Sequence, residues 1–372
     1  MKKICIIQFM IFCLFITGCS DKSLTDTYDE NMQLAGSHAV YIDEDGTLKG
    51  FGDSSLGQLG DIYDEYIENA ISVTNDVKSV HSKGFSTAVI KNDNSLWICG
   101  YNQESPFEDD THTKTMTTNT NDSKIRKNFV KVLENVKTVD IGYCHTVAIL
   151  TDGSLYAWGN NEYGQLGNGN NVSLDTPVKI GEDFTDVSVS FASTYALKKD
   201  GTLWSCGLND SGQLGIGNIE NSNVLIKIMD DVKSVYADFY TCAAIKKDNS
   251  LWIWGSSDGA SWNDASYSAI PVKRMENIEK ISLGLAFNVV KKTDGGIWGW
   301  GNNVYGQLIP DSTMLIIPEP IALSGDILDF DCNIDSVMIK KNDGTIAIQG
   351  NFQQNTTLPE KEYIPYLSVL EQ

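Results

Sequence analysis

Basic side chains are scarce in this 372-residue chain, which has 28 Lys and Arg against 49 Asp and Glu and a net charge of −21. Proteins that bind nucleic acid neutralise phosphates with lysine and arginine, so this balance excludes nucleic acid as an expected partner. A neutral or basic protein meets no such repulsion. Most of the acidic residues are expected only to keep the protein soluble.

Histidine and cysteine are also few, with four and eight residues, and the cysteines include no CxxC pair. This scarcity argues against a zinc site and against a disulfide framework. The short motifs of nucleotide-binding loops, serine hydrolases and zinc proteases are missing. The sequence therefore predicts no catalytic residue, no metal and no cofactor.

Long apolar runs are missing except at the N-terminus, where two lysines precede the 13-residue run Ile4–Ile16. The run is too short to span a bilayer well and fits the apolar part of a secretion signal. It ends in "ITGC", which resembles the lipobox of bacterial lipoproteins. That resemblance implies cleavage of residues 1–18, acylation of Cys19, a flexible tether over residues 19–32, and a location on the outer side of the cell membrane.

One segment recurs along the rest of the chain, as "FGDSSLGQLG", "WGNNEYGQLGNG", "CGLNDSGQLGIG" and "WGNNVYGQL". Its first glycine marks seven units, spaced 46 to 59 residues apart. These glycines are Gly52, Gly100, Gly159, Gly207, Gly255, Gly301 and Gly350. A period of this length with several strands per unit is typical of a β-propeller.

Each unit also carries the signal of a β-hairpin. An Asp stands seven residues before every marker glycine, followed by Gly or Asn, and these pairs favour tight turns. In the strand after the turn, apolar residues occupy both odd and even positions, as at Leu155 and Trp158. Because successive strand residues point to opposite faces, both faces of each sheet are predicted to be buried.

The pattern "L-x-x-W-G-x-N-x-x-G-Q-L-G" after "D-G" resembles the regulator of chromosome condensation repeat family. The likeness is strongest at Leu155–Gly167, Leu203–Gly215 and Ile297–Leu308. It implies an all-β, seven-bladed β-propeller over residues 33–372. In that family the glycines allow close turns and the leucine packs between blades, so the repeat is expected to serve the fold and not a reaction.

The remaining reactive side chains fit structural roles. His38 and His145 share one position of the repeat with Ser86, Ser193, Thr241, Phe287 and Ser336 of the other units, which predicts a structural hydrogen-bonding position. Cys99 and Cys206 replace the tryptophan of the repeat and are expected to be buried thiols. Cys144 and His145 are neighbours on a strand and should not form a catalytic pair.

The function that these features favour is a non-catalytic, membrane-tethered binding module, expected to be a monomer, that presents its loops to a protein partner. Two alternatives remain open at this point: a regulator or inhibitor of another enzyme, similar to propeller-type β-lactamase inhibitors, and an enzyme working in the central channel. Partner contact is predicted in the loop Asp61–Asn69, through Tyr63, Asp64, Glu65 and Tyr66. A purely structural alternative is that both tyrosines cover the outer strand.

The chain ends are predicted to close the ring. No strand like "TPVKI" precedes the first unit, and "EYIPYLSVL" near the C-terminus resembles that missing piece. The C-terminal segment is therefore expected to complete the first sheet and remove an exposed edge.

Overall fold

The structure is a computed structural model that describes residues 32–43, 45–62, 66–101, 125–256, 267–310, 312–325, 327–342, 346–351 and 368–369. Every regular element within these residues is a β-strand. No helix in the described ranges has the length and apolar character needed to cross a bilayer.

The strands form seven sheets in chain order. The first sheet contains β1 (Met32–Leu34), β2 (His38–Ile42), β3 (Leu48–Asp53) and β4 (Tyr66–Thr74). The second contains β5 (Val77–Lys83), β6 (Ser86–Lys91), β7 (Leu96–Tyr101) and β8 (Ile125–Leu133). The third contains β9 (Val136–Ile141), β10 (His145–Leu150), β11 (Leu155–Gly159) and β12 (Leu174–Gly181).

The fourth sheet contains β13 (Phe184–Val189), β14 (Ser193–Lys198), β15 (Leu203–Gly207) and β16 (Ser222–Met229). The fifth contains β17 (Val232–Asp238), β18 (Thr241–Lys246), β19 (Leu251–Gly255) and β20 (Ser268–Met275). The sixth contains β21 (Ile278–Gly284), β22 (Phe287–Lys292), β23 (Ile297–Asn302), β24 (Ile316–Ser324) and β28 (Ser368–Val369). The seventh contains β25 (Ile327–Cys332), β26 (Ser336–Lys341) and β27 (Ile346–Gly350).

The predicted hairpins are confirmed, because the second and third strands pair antiparallel in all seven sheets. The Asp-Gly or Asp-Asn turn lies within the described residues in the first six sheets. Asp200 shows the mechanism, since its Oδ1 accepts from the backbone N of Thr202 at 2.9 Å. Gly201 has a φ of +90° and Asn249 has a φ of 62° in the equivalent turns. These are left-handed values that glycine and asparagine tolerate best.

Burial of both sheet faces is also confirmed. Trp158 packs in one cluster with Ile90 of the second sheet, whereas Leu155 packs in another with Phe184 of the fourth. Both side chains come from β11 and both are buried. Each sheet is therefore a blade that is covered by its two neighbours.

The "GQLG" segment joins consecutive blades. The side-chain oxygen of Gln213 accepts from the backbone N of Ser211 at 2.8 Å and fixes its own loop. The backbone carbonyl of Gln213 then accepts two hydrogen bonds at 2.8 Å. One comes from Tyr195 Oη of the same blade and the other from Trp254 Nε1 of the next blade. The following Leu214 is fully buried. The repeated segment is thus a structural clamp, as predicted.

The ring closes between the first and seventh blades. The first strands of successive blades contact each other all the way round, including β25 with β1. The backbone N of Leu34 lies 3.4 Å from Asp331 Oδ2, and Asn333 Nδ2 donates to Ala35 O at 3.3 Å. Leu34 also packs with Met338.

The predicted pairing of the C-terminus with the first blade is wrong. That blade has four strands of its own, and Ser368–Val369 instead pair with Ser324 and Leu323 of β24. The reason is that the "TPVKI" strand, β12, is the fourth strand of its own blade. The first blade therefore needs no strand before it, and its fourth strand is β4.

Candidate functional site: the mouth of the central channel

The first strands of the blades surround a central cavity of about 870 Å³. At one end of this channel, each first strand turns into the second. We call this end the mouth face, and the loops between third and fourth strands lie there too. The opposite end carries the Asp-Gly turns.

Five aromatic side chains from three consecutive blades gather on the mouth face. We call this group the aromatic mouth: Tyr143, Tyr163, Phe191, Phe239 and Tyr240. The ring of Tyr143 lies 5.8 Å from that of Phe191 and 5.5 Å from that of Phe239, and Phe191 lies 6.1 Å from Tyr240. Tyr163 packs into the same cluster from the "GQLG" loop of the third blade. Only Phe191 is buried, so the other four rings keep part of their surface in solvent.

The backbone at Phe239 is strained. Its φ of 45° lies in the left-handed region, where the second blade has Gly84 at the equivalent position with a φ of 58°. A bulky side chain is rare in this conformation, and such strain concentrates at functional positions. In this conformation the Phe239 ring lies against that of Tyr143.

Acidic groups border the aromatic mouth. Burial raises the pKa of Tyr163, and the nearby carboxylates of Glu162 and Asp210 raise it further. Burial likewise raises the pKa of Tyr240, with Asp210 as the second cause. Glu162 and Asp210 are both exposed. The site therefore combines aromatic surface with negative charge, a combination that suits cationic side chains.

Lys83 forms the floor beneath the rings. Its ammonium lies 3.1 Å from Asp238 Oδ1 and donates to the carbonyls of Val189 at 3.1 Å and Ala237 at 3.3 Å. Burial acts to lower the pKa of Lys83, but the carboxylates of Asp238 and Asp140 outweigh it and the pKa is raised. For Asp238 burial raises the pKa more than Lys83 lowers it. The 3.1 Å contact and two carbonyl acceptors fit an ionised pair.

The histidine position is structural, as predicted. His38 Nε2 lies 2.6 Å from Ser82 Oγ and 3.0 Å from Thr87 Oγ1, and His145 Nε2 lies 2.9 Å from Thr194 Oγ1. Each threonine donates its own proton to a glutamine carbonyl, so it accepts from a neutral Nε2–H. Burial lowers the pKa of both histidines to about 3. In other blades the same position carries Ser86, Ser193 and Thr241, which donate to backbone carbonyls.

The five cysteines among the described residues are free and buried. Burial raises the pKa of Cys144 and of Cys206 to about 12, which opposes thiolate chemistry near neutral pH. Cys144 Sγ donates to Phe191 O at 3.4 Å and not to His145, so the two form no catalytic pair. Within the described ranges no group of three or more potential ligands is placed to hold a metal ion.

The residues proposed from sequence lie elsewhere. Cys19 and Tyr63 to Glu65 fall outside the described residues, and Tyr66 is the first residue of β4, where it is half-buried. Sequence reasoning missed the aromatic mouth. The sequence does contain a signal for this cluster. Two residues before the repeat position of His38 and His145, three consecutive units carry an aromatic residue, namely Tyr143, Phe191 and Phe239.

Seven sheets closed around a channel define a seven-bladed β-propeller. Sequence patterns described as the regulator of chromosome condensation (RCC1) repeat match residues 136–165, 184–213 and 278–307, and residues 152–197 and 200–237. Residues 136–237 and 278–307 of this propeller therefore carry repeats that match the regulator of chromosome condensation family.

Two curated relatives match part of the chain. It is 29% identical over 159 residues to the ultraviolet-B receptor UVR8 of Arabidopsis thaliana, covering 40% of this chain and 33% of the receptor. It is 25% identical over 138 residues to the regulator of chromosome condensation of Homo sapiens, covering 36% and 31%. The chain thus spans about a third of the length of these relatives.

Solved structures agree on the fold. Human WBSCR16 superimposes with a TM-score of 0.68 at 18% identity, over 85% of this chain and 88% of that one. Yeast RCC1 (Prp20) bound to Kap60 superimposes with a TM-score of 0.67 at 17% identity, over 86% and 79%. The fold is consistent with a protein-binding, non-catalytic module.

Proposed function

We propose that this protein is a non-catalytic binding module, tethered to the outer side of a bacterial membrane, that binds a basic protein partner through the aromatic mouth. The observation that carries the proposal is the cluster of five rings from three blades, bordered by Glu162 and Asp210.

Three arguments support the site. Partly exposed tyrosine rings bury much area at low entropic cost and dominate many interfaces. The bordering carboxylates favour a basic partner and speed its approach. The yeast propeller Prp20p, which shares the fold, was described with its binding to Gsp1p and histones, and this supports protein binding by a similar scaffold.

The matched positions Tyr163 and Tyr305 test the site. Both precede the "GQL" of their loops, but only Tyr163 packs into the aromatic mouth. With a partner captured on the immobilised domain from residue 20 onward, Tyr163→Ala should weaken binding by roughly tenfold or more, the loss expected of an interface anchor. Tyr305→Ala should change it by less than about threefold, since single contacts outside the anchors contribute little. Equal losses from both variants would move the site away from the aromatic mouth.

The loop Asp61–Asn69 is proposed as a second contact. Residues 63–65 lie outside the described residues, but Tyr66 begins β4 opposite Asp53, the last residue of β3, at the mouth face. The loops that carry Tyr163 and Asp210 lie at the same face. Its two tyrosines and its carboxylates extend the same combination of chemical groups. The loop is thus proposed as an extension of the binding surface, with the aromatic mouth as its centre.

The membrane tether rests on the apolar run and on "ITGC", which ends at Cys19. A Cys19→Ser variant should leave the membrane fraction after expression in a bacterial host, because the acyl group is its only proposed anchor. Cys13→Ser is the matched control, since it changes a thiol of the same segment but leaves the acylation position, and it should remain membrane-bound. A Cys19→Ser protein that stays with the membrane after signal cleavage overturns the tether.

A further inference from the structure

The floor of the aromatic mouth is a built acceptor site for an ammonium group. One carboxylate oxygen, of Asp238, and two backbone carbonyls, of Val189 and Ala237, converge on one nitrogen at 3.1 to 3.3 Å. The nitrogen belongs to Lys83 of the second blade, whereas all three acceptors belong to the fourth and fifth blades. Lys83 therefore reaches across the channel into a site that other blades form.

The acceptors do not depend on Lys83 for their positions. Val189 and Ala237 sit in paired strands, opposite Thr194 and Cys242. The backbone N of Phe239 donates to Asp238 Oδ1 at 2.9 Å and orients the carboxylate. Removing the Lys83 side chain would leave these acceptors aimed at the same point. Their unpaired burial would be unfavourable, so the site favours a replacement cation.

The site faces the central cavity. Asp238, Lys83, Gly84 and the rings of Tyr143 and Phe239 all line the central cavity. A Cβ at Gly84 would lie 3.1 Å from the Tyr143 ring, so glycine is what permits the ring to sit beside the Lys83 backbone. Aromatic rings above a carboxylate form a favourable path for an alkylammonium chain.

We infer that this floor is a binding site for a primary ammonium group, occupied by Lys83 in the free protein and by a lysine side chain of the partner in the complex. The inference rests on the proposed function and deepens it by naming the group that is recognised. Lys83 acts as a tethered competitor, so the unmodified protein binds lysine weakly. Asp140 and Asp331 lie close enough to interact with the Lys83 charge and supply counter-charge when it is displaced.

The test needs no partner protein. A Lys83→Ala variant empties the site, and its melting temperature and heat of binding are measured with Nα-acetyl-lysine N-methylamide. The matched ligand is Nα-acetyl-norleucine N-methylamide, which has a chain of similar length without the charge. We expect the lysine ligand to raise the melting temperature of Lys83→Ala and to bind at least roughly tenfold more tightly than to the unmodified protein, with no effect of the norleucine ligand.

Two further variants locate the effect. Lys83→Met fills the same space without charge and should not respond to the lysine ligand. Lys83→Ala/Asp238→Asn keeps the space but removes the negative charge, and should lose most of the response. Any of three results overturns the inference. One is that the lysine ligand leaves the melting temperature of Lys83→Ala unchanged, and another is that it raises that of the double variant equally. The third is a Lys83→Ala chain that is unfolded and that the lysine ligand does not refold. A failed partner capture, in contrast, would remove the proposed function and leave this site standing.

Discussion

Replacing Trp254 with alanine is expected to lower the free energy of unfolding by about 3–5 kcal/mol, the range typical of deleting a fully buried large aromatic. The side chain has no exposed surface and its ring lies 6.4 Å from that of Tyr195 in the previous blade. Its Nε1 donates to Gln213 O of the previous blade at 2.8 Å, so the change leaves a cavity and also breaks a clamp between blades. Urea unfolding followed by fluorescence measures the loss.

Trp252 is the matched control, two residues earlier on the same strand. It is only partly buried and its Nε1 donates locally to Ser250 Oγ at 2.9 Å, within its own blade. Trp252→Ala should therefore cost less than about half as much, because little of the surrounding packing collapses. Equal losses at the two positions would contradict the assignment of the "GQLG" segment as a clamp between blades.

Acidification is expected to destabilise the protein through His38 and His145, beyond the effect of its carboxyl groups. The folded pKa of each is about 3, against 6.5 for an exposed imidazole. Between these values the unfolded chain binds a proton that the folded chain does not, so stability falls as the pH falls from 6.5 towards 3. At about pH 4.5 each histidine is expected to account for about 2–3 kcal/mol.

His38→Gln isolates this contribution, because the glutamine amide can replace Nε2–H as donor to Thr87 but cannot titrate. Urea unfolding at about pH 7 and about pH 4.5 should show that the variant loses about 2–3 kcal/mol less on acidification than the unmodified protein. His145→Gln should behave alike, and the double variant should show the sum. Parallel losses in the variant and the unmodified protein would contradict burial of a neutral imidazole at this position.

Much of the fold could be predicted from sequence because the repeat places the same physical signals at the same positions. Asp-Gly turns locate the hairpins. Apolar residues at odd and even strand positions, as at Leu155 and Trp158, indicate that both faces of the sheet are buried against other sheets. The assignment of strands to blades was harder. The strand "TPVKI" lies between two units in the sequence, and only the pairing of β12 with β11 shows that it belongs to the third blade.

The candidate site was beyond sequence reasoning for a different reason. Tyr143, Phe191 and Phe239 are far apart in the chain and meet only because consecutive blades bring equivalent turns together. Lys83 and Asp238 meet across the channel, so their contact depends on its width, which no local pattern encodes. The repeat could have indicated that the three rings occupy the same position of their units. It could not have indicated the strained backbone at Phe239 or how far each ring is buried.

The central claim, that the partner docks on the aromatic mouth, is tested most directly by photo-crosslinking in living cells. A benzophenone amino acid is placed either at Tyr163, in the aromatic mouth, or at Asp200, an exposed turn residue on the opposite end of the channel. Irradiation should join a discrete partner protein to the Tyr163 position and not to the Asp200 position, whereas crosslinks from Asp200 alone, or equally from both, would contradict the account.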